Sequence, residues 1–171
     1  GQTVAGFSKK GVAYIGVTRD DKAAGAARED GFIAGLKNAS ITLLEENKRT
    51  SAFTLESGYE AALDLLESKC DIDVISCATD TIAAGAIEAI QTYLKKQIPT
   101  NAADAGARMR YILENTSIRV TGFGDNQMLK AVTGGIPTIH FGYKTSGIRG
   151  AELLLDSIER GEQLPIEMKL G

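Results

Sequence analysis

Short apolar runs alternate along the chain with longer stretches of helical periodicity. VAYIGV (12–17) and DVISCA (73–78) are nearly continuous apolar runs, and IRVTG (118–122) is a shorter apolar strand pattern interrupted by Arg119 and Thr121. Such runs predict strands buried on both faces, as in a parallel sheet. After the first, KAAGAAREDGFIAGLKNA predicts a helix over 22–39. Its small and apolar positions Ala24, Ala27, Gly31, Phe32 and Leu36 recur near helical spacing, and Asp20 or Asp21 suits the N-cap. Gly25, Gly31 and Gly35 read as close helix packing. ITLLEE (41–46) reads as a second short strand, followed by a helix over 56–68. The 73–78 strand leads into a helix that runs to about Lys96 and is stopped by Pro99. Residues 101–117 exceed the ~2–6 residues usual for such a link, and their composition predicts an extra short helix over 104–114. A helix over 126–133 ends at Gly134-Gly135, PTIHF (137–141) reads as a fifth strand, and a helix over 144–160 is closed by Gly161. Pro165 opens a last strand. The order predicts an α/β fold: a mainly parallel sheet with helices on both faces.

In such sheets the loops after the carboxyl ends of the strands form the ligand crevice. Residues 74–90 and 118–132 each run from an apolar strand through an acidic turn into a helix, which sets Asp80 and Asp125 where a small polar molecule would be held. Gly122 and Gly124 bracket Phe123, the mark of a turn with unusual dihedrals or a close backbone approach.

At 171 residues the chain is one domain by size. Its net charge of −3, with signs interspersed, offers no basic face for nucleic acid. No apolar run approaches the ~20 residues of a membrane span, and no signal-peptide pattern is present. The cysteines Cys70 and Cys77 fit packing in a reducing, cytoplasmic compartment. The lone histidine, His140, reads as a structural residue in its apolar strand, and no metal or other cofactor is expected. Phosphate-loop, dinucleotide and nucleophile-elbow motifs are lacking. Phosphoryl transfer at a strand-end aspartate is a minor alternative, with Asp20 and Asp21 the nearest acidic partners. The pattern is that of a binding lobe rather than an enzyme.

Five segments, in order, resemble the lactose/galactose-repressor family of bacterial transcription regulators: 12–32, 57–66, 74–90, 118–126 and 137–158. They add up to a little under half of the chain and are spread over most of its length. The ATDT turn (78–81) and TIHFGYKTSG (138–147) are most similar to repressors of sucrose and trehalose operons. The resemblance implies a periplasmic-binding-protein-like fold. Residues 1–10 would be a linker remnant and 11–171 the C-terminal lobe of an effector domain, with 137–162 the crossover strand and helix. It further implies a sugar or sugar-phosphate effector, a homodimer, and operator DNA bound through an N-terminal domain outside this chain. A transport binding protein of the same fold is the competing reading.

The resemblance also implies site residues. Arg28, in R-x-x-G-F, corresponds to a ligand-binding arginine rather than a solvated helix residue. Thr79 stands where many members have an asparagine, and Asp80 is either a ligand contact or a helix N-cap. After the fourth strand many members carry two acidic residues; here the first is Gly124 and the second Asp125. Asn126 replaces Asp125 or caps the next helix. Phe53 either stacks on a sugar face or packs in the core. Phe141 and Tyr143 fall at the crossover, and Lys144 joins Arg28 as a possible phosphate partner. Tyr59, Ile82, Ala86 and Leu129 match a dimer surface, the alternative being close packing inside one subunit. The apolar stripe Ile148, Ala151, Leu154, Leu155 and Ile158 is expected to be covered, by a neighbouring chain or by its own sheet.

Overall fold

A computed structural model describes residues 1–6, 8–94, 106 and 116–161. It divides into two units, Gly1–Ile139 and His140–Gly171. The stop at Pro99, the helix expected over 104–114 (Gly106 apart) and the strand after Pro165 lie outside the described residues.

In the first unit the elements run α1 (Gln2–Ala5), β1 (Val12–Gly16), a π-turn (Lys22–Ala27), α2 (Arg28–Lys37), a 3-10 turn (Glu45–Asn47), β2 (Lys48–Thr50), α3 (Leu55–Glu67), β3 (Val74–Cys77), α4 (Asp80–Tyr93), β4 (Arg119–Thr121) and α5 (Gln127–Thr133). The sheet order is β2-β1-β3-β4. Every pairing is parallel, with Tyr14 opposite both Lys48 and Ser76, and Ile75 opposite Val120. All four carboxyl ends therefore open on one edge. The fold is the expected one, a parallel sheet flanked by helices.

β1 and β3 are buried at every position, which explains their unbroken apolar sequence. Ile15, Val74, Ile75 and Val120 from the strands meet Leu36, Leu65, Ile82, Ile87 and Ile90 from the helices in one core. Where α3 crosses α4, a Cβ on Gly58 would lie 2.7 Å from the Ile82 carbonyl, and one on Gly85 would collide with the Leu55 carbonyl. The small residues of both helices thus let their backbones touch.

Three expectations change. Residues 41–46 form no strand; Ile41 and Leu43 pack on the core from a loop, and the pairing falls to the polar Lys48–Thr50. β2 borders the sheet, where polar residues are tolerated. Residues 137–141 form no strand either. The amides of Gly122 and Gly124 donate to the carbonyls of Pro137 and Ile139, but Pro137 has no amide to return. Finally, the helix expected from 22 opens as a π-turn capped by Asp21, whose carboxylate accepts from Ala23 N and Ala24 N. The wider turn shifts the phase of the inward face. It continues through Arg28, Phe32 and Leu36, while Ala27 and Gly31 are exposed. Gly25 and Gly35 do make close approaches, to Thr18 and Gly1; Gly31 makes none.

Just before β3, the buried Asp73 accepts from the segment that leads into β1: Ser8 Oγ at 2.7 Å, Lys9 N at 2.6 Å and Lys10 N at 3.2 Å. The second unit contains α6 (Tyr143–Arg160), closed by Gly161 in a left-handed conformation. No residue of α6 is buried. Ile148, Leu154, Leu155 and Ile158 are 50–68% exposed, so the cover expected for this stripe is not supplied by the described residues.

Candidate functional site

The carboxyl edge of the sheet carries four turns, one after each strand. The β3 turn is Ala78-Thr79, and the β4 turn is Gly122-Phe123-Gly124-Asp125. Arg28, at the start of α2, reaches across both. Its Nη1 donates to the Ala78 carbonyl at 2.5 Å, and its guanidinium lies 4.1 Å from the centre of the Phe123 ring. Arg28 is half-buried and not a solvated helix arginine. The contact with the ring is a cation–π pair, favoured by the planar, weakly hydrated guanidinium.

Asp80 ties the β3 and β4 turns together. Its amide donates to the Phe123 carbonyl at 3.1 Å. Its Oδ2 accepts from Asn126 N at 2.6 Å and its Oδ1 from Thr138 Oγ1 at 2.7 Å. A side chain at Gly122 would collide with Oδ1, and Gly124 is held at φ 137°, so both glycines are required. The helix cap falls not on Asp80 but on Thr79, whose hydroxyl accepts from Ile82 N at 3.2 Å. Asp80 is 5% exposed and both its oxygens are engaged, so it organises the turn. Asp125 sits beside it in the left-handed region at φ 54°, half-exposed, its amide donating to Thr138 Oγ1. Asn126 caps α5 by accepting from Leu129 N. Beneath the edge, burial and then the Asp80 carboxylate push the Cys77 thiol up, which keeps it protonated and inert.

Asp80, Asp125, Asn126, Lys130, Ile136 and Thr138 border a cavity of about 110 Å³. Typical ligand sites enclose ~300–1,000 Å³, so this cavity is too small to enclose a sugar. Among the described residues no group of three or more His, Cys, Asp or Glu is placed to hold a metal ion. No helix among them is long and apolar enough to cross a membrane.

Phe53 follows the edge strand β2 and is 51% exposed, which removes its reading as a core residue. Arg28, Thr79, Asp80 and Asp125 thus converge on one edge, and Phe53 stands in the turn that follows β2 at that edge. Phe141 and Tyr143 belong to the second unit, their rings 5.2 Å apart and Tyr143 exposed. His140 is exposed and outside any strand. Ile82, Ala86 and Leu129 are buried in the chain's own core, and intrasubunit packing replaces the dimer contact expected of them. Tyr59 is half-buried against the same core. Sequence reasoning missed Phe123 as the platform for Arg28 and Thr138 as the partner of Asp80. The glycines around Phe123 were the only available signal for the first, and none existed for the second.

Residues 4–165 match a family model described as periplasmic binding proteins and sugar binding domain of the LacI family. The chain belongs to this family. Its curated relatives include the HTH-type transcriptional repressor PurR of Yersinia enterocolitica, 30% identical over 134 residues. That alignment covers 78% of this chain and 34% of the relative. The sucrose operon repressor of Staphylococcus xylosus is 27% identical over 136 residues, with 80% and 36% covered. The chain spans about a third of the length of these curated relatives. Among solved structures of the LacI-type fold, the trehalose repressor from Escherichia coli superposes with TM-score 0.70 at 20% identity, covering 99% of this chain and 56% of that one. A periplasmic ribose ABC transporter structure from Conexibacter woesei gives 0.72 at 19%, with 99% and 52% covered. These two establish the fold.

Proposed function

We propose that this chain is one lobe of the effector-binding region of a LacI-type transcriptional repressor, and that its effector is a disaccharide of the sucrose or trehalose kind. In this reading residues 11–171 form the C-terminal lobe and 137–162 the crossover. The observation that carries it is the Arg28 guanidinium, seated on Phe123 and the Ala78 carbonyl at the carboxyl edge. A sugar presents C–H faces to a ring and hydroxyls to aimed polar groups. Arg28 and Asp125 supply the polar groups, with Phe53 as the aromatic one. The sucrose operon repressor stands among the curated relatives and the trehalose repressor among the fold neighbours, which supports a disaccharide.

The effector acts through differential affinity for two lobe arrangements, because a ligand bound equally by both changes nothing. Operator DNA is engaged by a domain outside these residues, in a homodimer. The test is calorimetric titration of the whole protein with sucrose, trehalose, their 6-phosphates and ribose. Saturable binding of a disaccharide, weakened about tenfold or more in Arg28→Ala, supports the reading. Binding of ribose alone by a monomer favours the transport role, and binding of none of these sugars removes the proposal.

A further inference from the structure

Arg28 and Glu29 are consecutive in α2, so they point about 100° apart around the helix. Arg28 faces β3 and β4. Glu29 faces the other way along the sheet edge, with Oε1 3.3 Å from Lys48 Nζ and Oε2 3.1 Å from Arg19 Nη1. The Glu29 side chain is only 13% exposed and Lys48 23%. Arg19 follows β1 and Lys48 opens β2, so Glu29 fastens α2 to two strands at once. One turn later Phe32 stacks on Tyr14 of β1, ring centres 5.0 Å apart and 21° from parallel.

The turn held in this way emerges from the π-turn, in which Ala26 N donates five residues back to the Asp21 carbonyl. A single wide turn of this kind is rare and often marks a functional site. It leaves the azimuth of the first turn of α2 to be set by side-chain contacts. We propose that Glu29 is a positioning residue for Arg28: its bridge to Lys48 and Arg19 fixes the rotation at which the guanidinium rests between the Ala78 carbonyl and the Phe123 ring. The ligand role of Arg28 rests on the function proposed above; its placement by Glu29 does not.

The remaining contacts separate positioning from plain stability. Without Glu29, Lys48 keeps Glu45 at 2.7 Å and Arg19 keeps Asp30 at 2.9 Å. Removing Glu29 therefore orphans neither cation; Asp30 still ties α2 to the turn after β1, and what is lost is the tie from α2 to β2 through Lys48.

Arginine side-chain NMR on the intact protein tests this, with the Arg28 guanidinium assigned by its disappearance in Arg28→Lys. Rotation about its Cζ–Nε bond and solvent exchange are expected to quicken about fivefold in Glu29→Gln and Glu29→Ala, within the range of couplings between neighbouring groups. Glu60→Gln on α3 leaves them unchanged. Sugar affinity, where the titration finds it, falls about fivefold in Glu29→Gln, and Glu29→Gln has no further effect in the Arg28→Lys background. An Arg28 signal unaltered in Glu29→Gln overturns the proposal, and this isosteric variant decides the matter if Glu29→Ala fails to fold. A loosened Arg28 in a protein that binds no sugar upholds the positioning and sinks only the sugar reading.

Discussion

Asp73 shows how one carboxylate fixes the entry to the sheet. Burial by itself would raise its pKa. The amide of Lys9, the Ser8 hydroxyl and the Lys10 amide outweigh that effect and hold the group below the ordinary carboxylate value. A depressed carboxylate stabilises the fold fully above its unfolded pKa, and that contribution disappears as pH falls through the lower folded value. Asp73→Ala is therefore expected to cost about 2 kcal/mol at neutral pH, as hydrogen bonds to a charged group do. The difference from wild type should shrink below about pH 4. Urea melts of both proteins across pH 3–7 check this, and a pH-independent gap would contradict it. At this scale the sequence was informative where a residue's place in a turn decides its job. Asp125 was legible as a group of the carboxyl edge, and Arg28 only through the family resemblance. Asp80 was legible in place but not in role, because its partners Asn126 and Thr138 lie far along the chain. Glu29 was illegible, since nothing local reveals that a helix glutamate faces Lys48 and Arg19.

The two most buried strands and the α3–α4 pair carry the fold at the level of elements. Gly85 meets the Leu55 carbonyl and the Tyr59 amide, backbone atoms that cannot swing aside as a flexible side chain can. Gly85→Ala is expected to destabilise by about 2–3 kcal/mol through overpacking, despite the better helix propensity of alanine. Gly31→Ala, with nothing within 4 Å of the added atom, should be neutral or stabilising by several tenths of a kcal/mol. Thermal denaturation of the two variants side by side gives the comparison, and equal melting temperatures would mean that the helices separate at no cost. β1, β3 and α3 were legible because burial on both faces or one clean stripe writes itself into composition. β2 was misplaced because its three pairing residues are polar, while the apolar ITLL segment before it packs without pairing. The π-turn was invisible because its alanines and glycine suit an α-helix equally well; only the exposure of Ala27 and Gly31 betrays the shift.

For the whole molecule the question is how firmly a single lobe could hold the sugar proposed above. Ligand sites bury 70–90% of a small ligand's surface. The cavity of about 110 Å³ beside Asp125 cannot do this, and Phe53 at 51% and Tyr143 at 66% are exposed. The stripe Ile148, Leu154, Leu155 and Ile158 is an apolar surface of the kind that marks an interface. The chain also covers only 45–56% of solved chains that share its fold. If the sugar is clasped between two lobes, roughly half of its contacts come from elsewhere. At 1.4 kcal/mol for each factor of ten, losing a few aimed hydrogen bonds and one apolar face weakens binding about a hundredfold or more. If the proposed two-lobe reading holds, the 171 residues alone are expected to bind the effector about a hundredfold more weakly than a two-lobe protein that contains them. Arg28→Ala should weaken both by a similar factor, because its guanidinium is held by Ala78 and Phe123 in this chain. Parallel titrations of the two proteins with the same disaccharide decide it: equal affinities would place the whole site on this lobe and leave no role for a second.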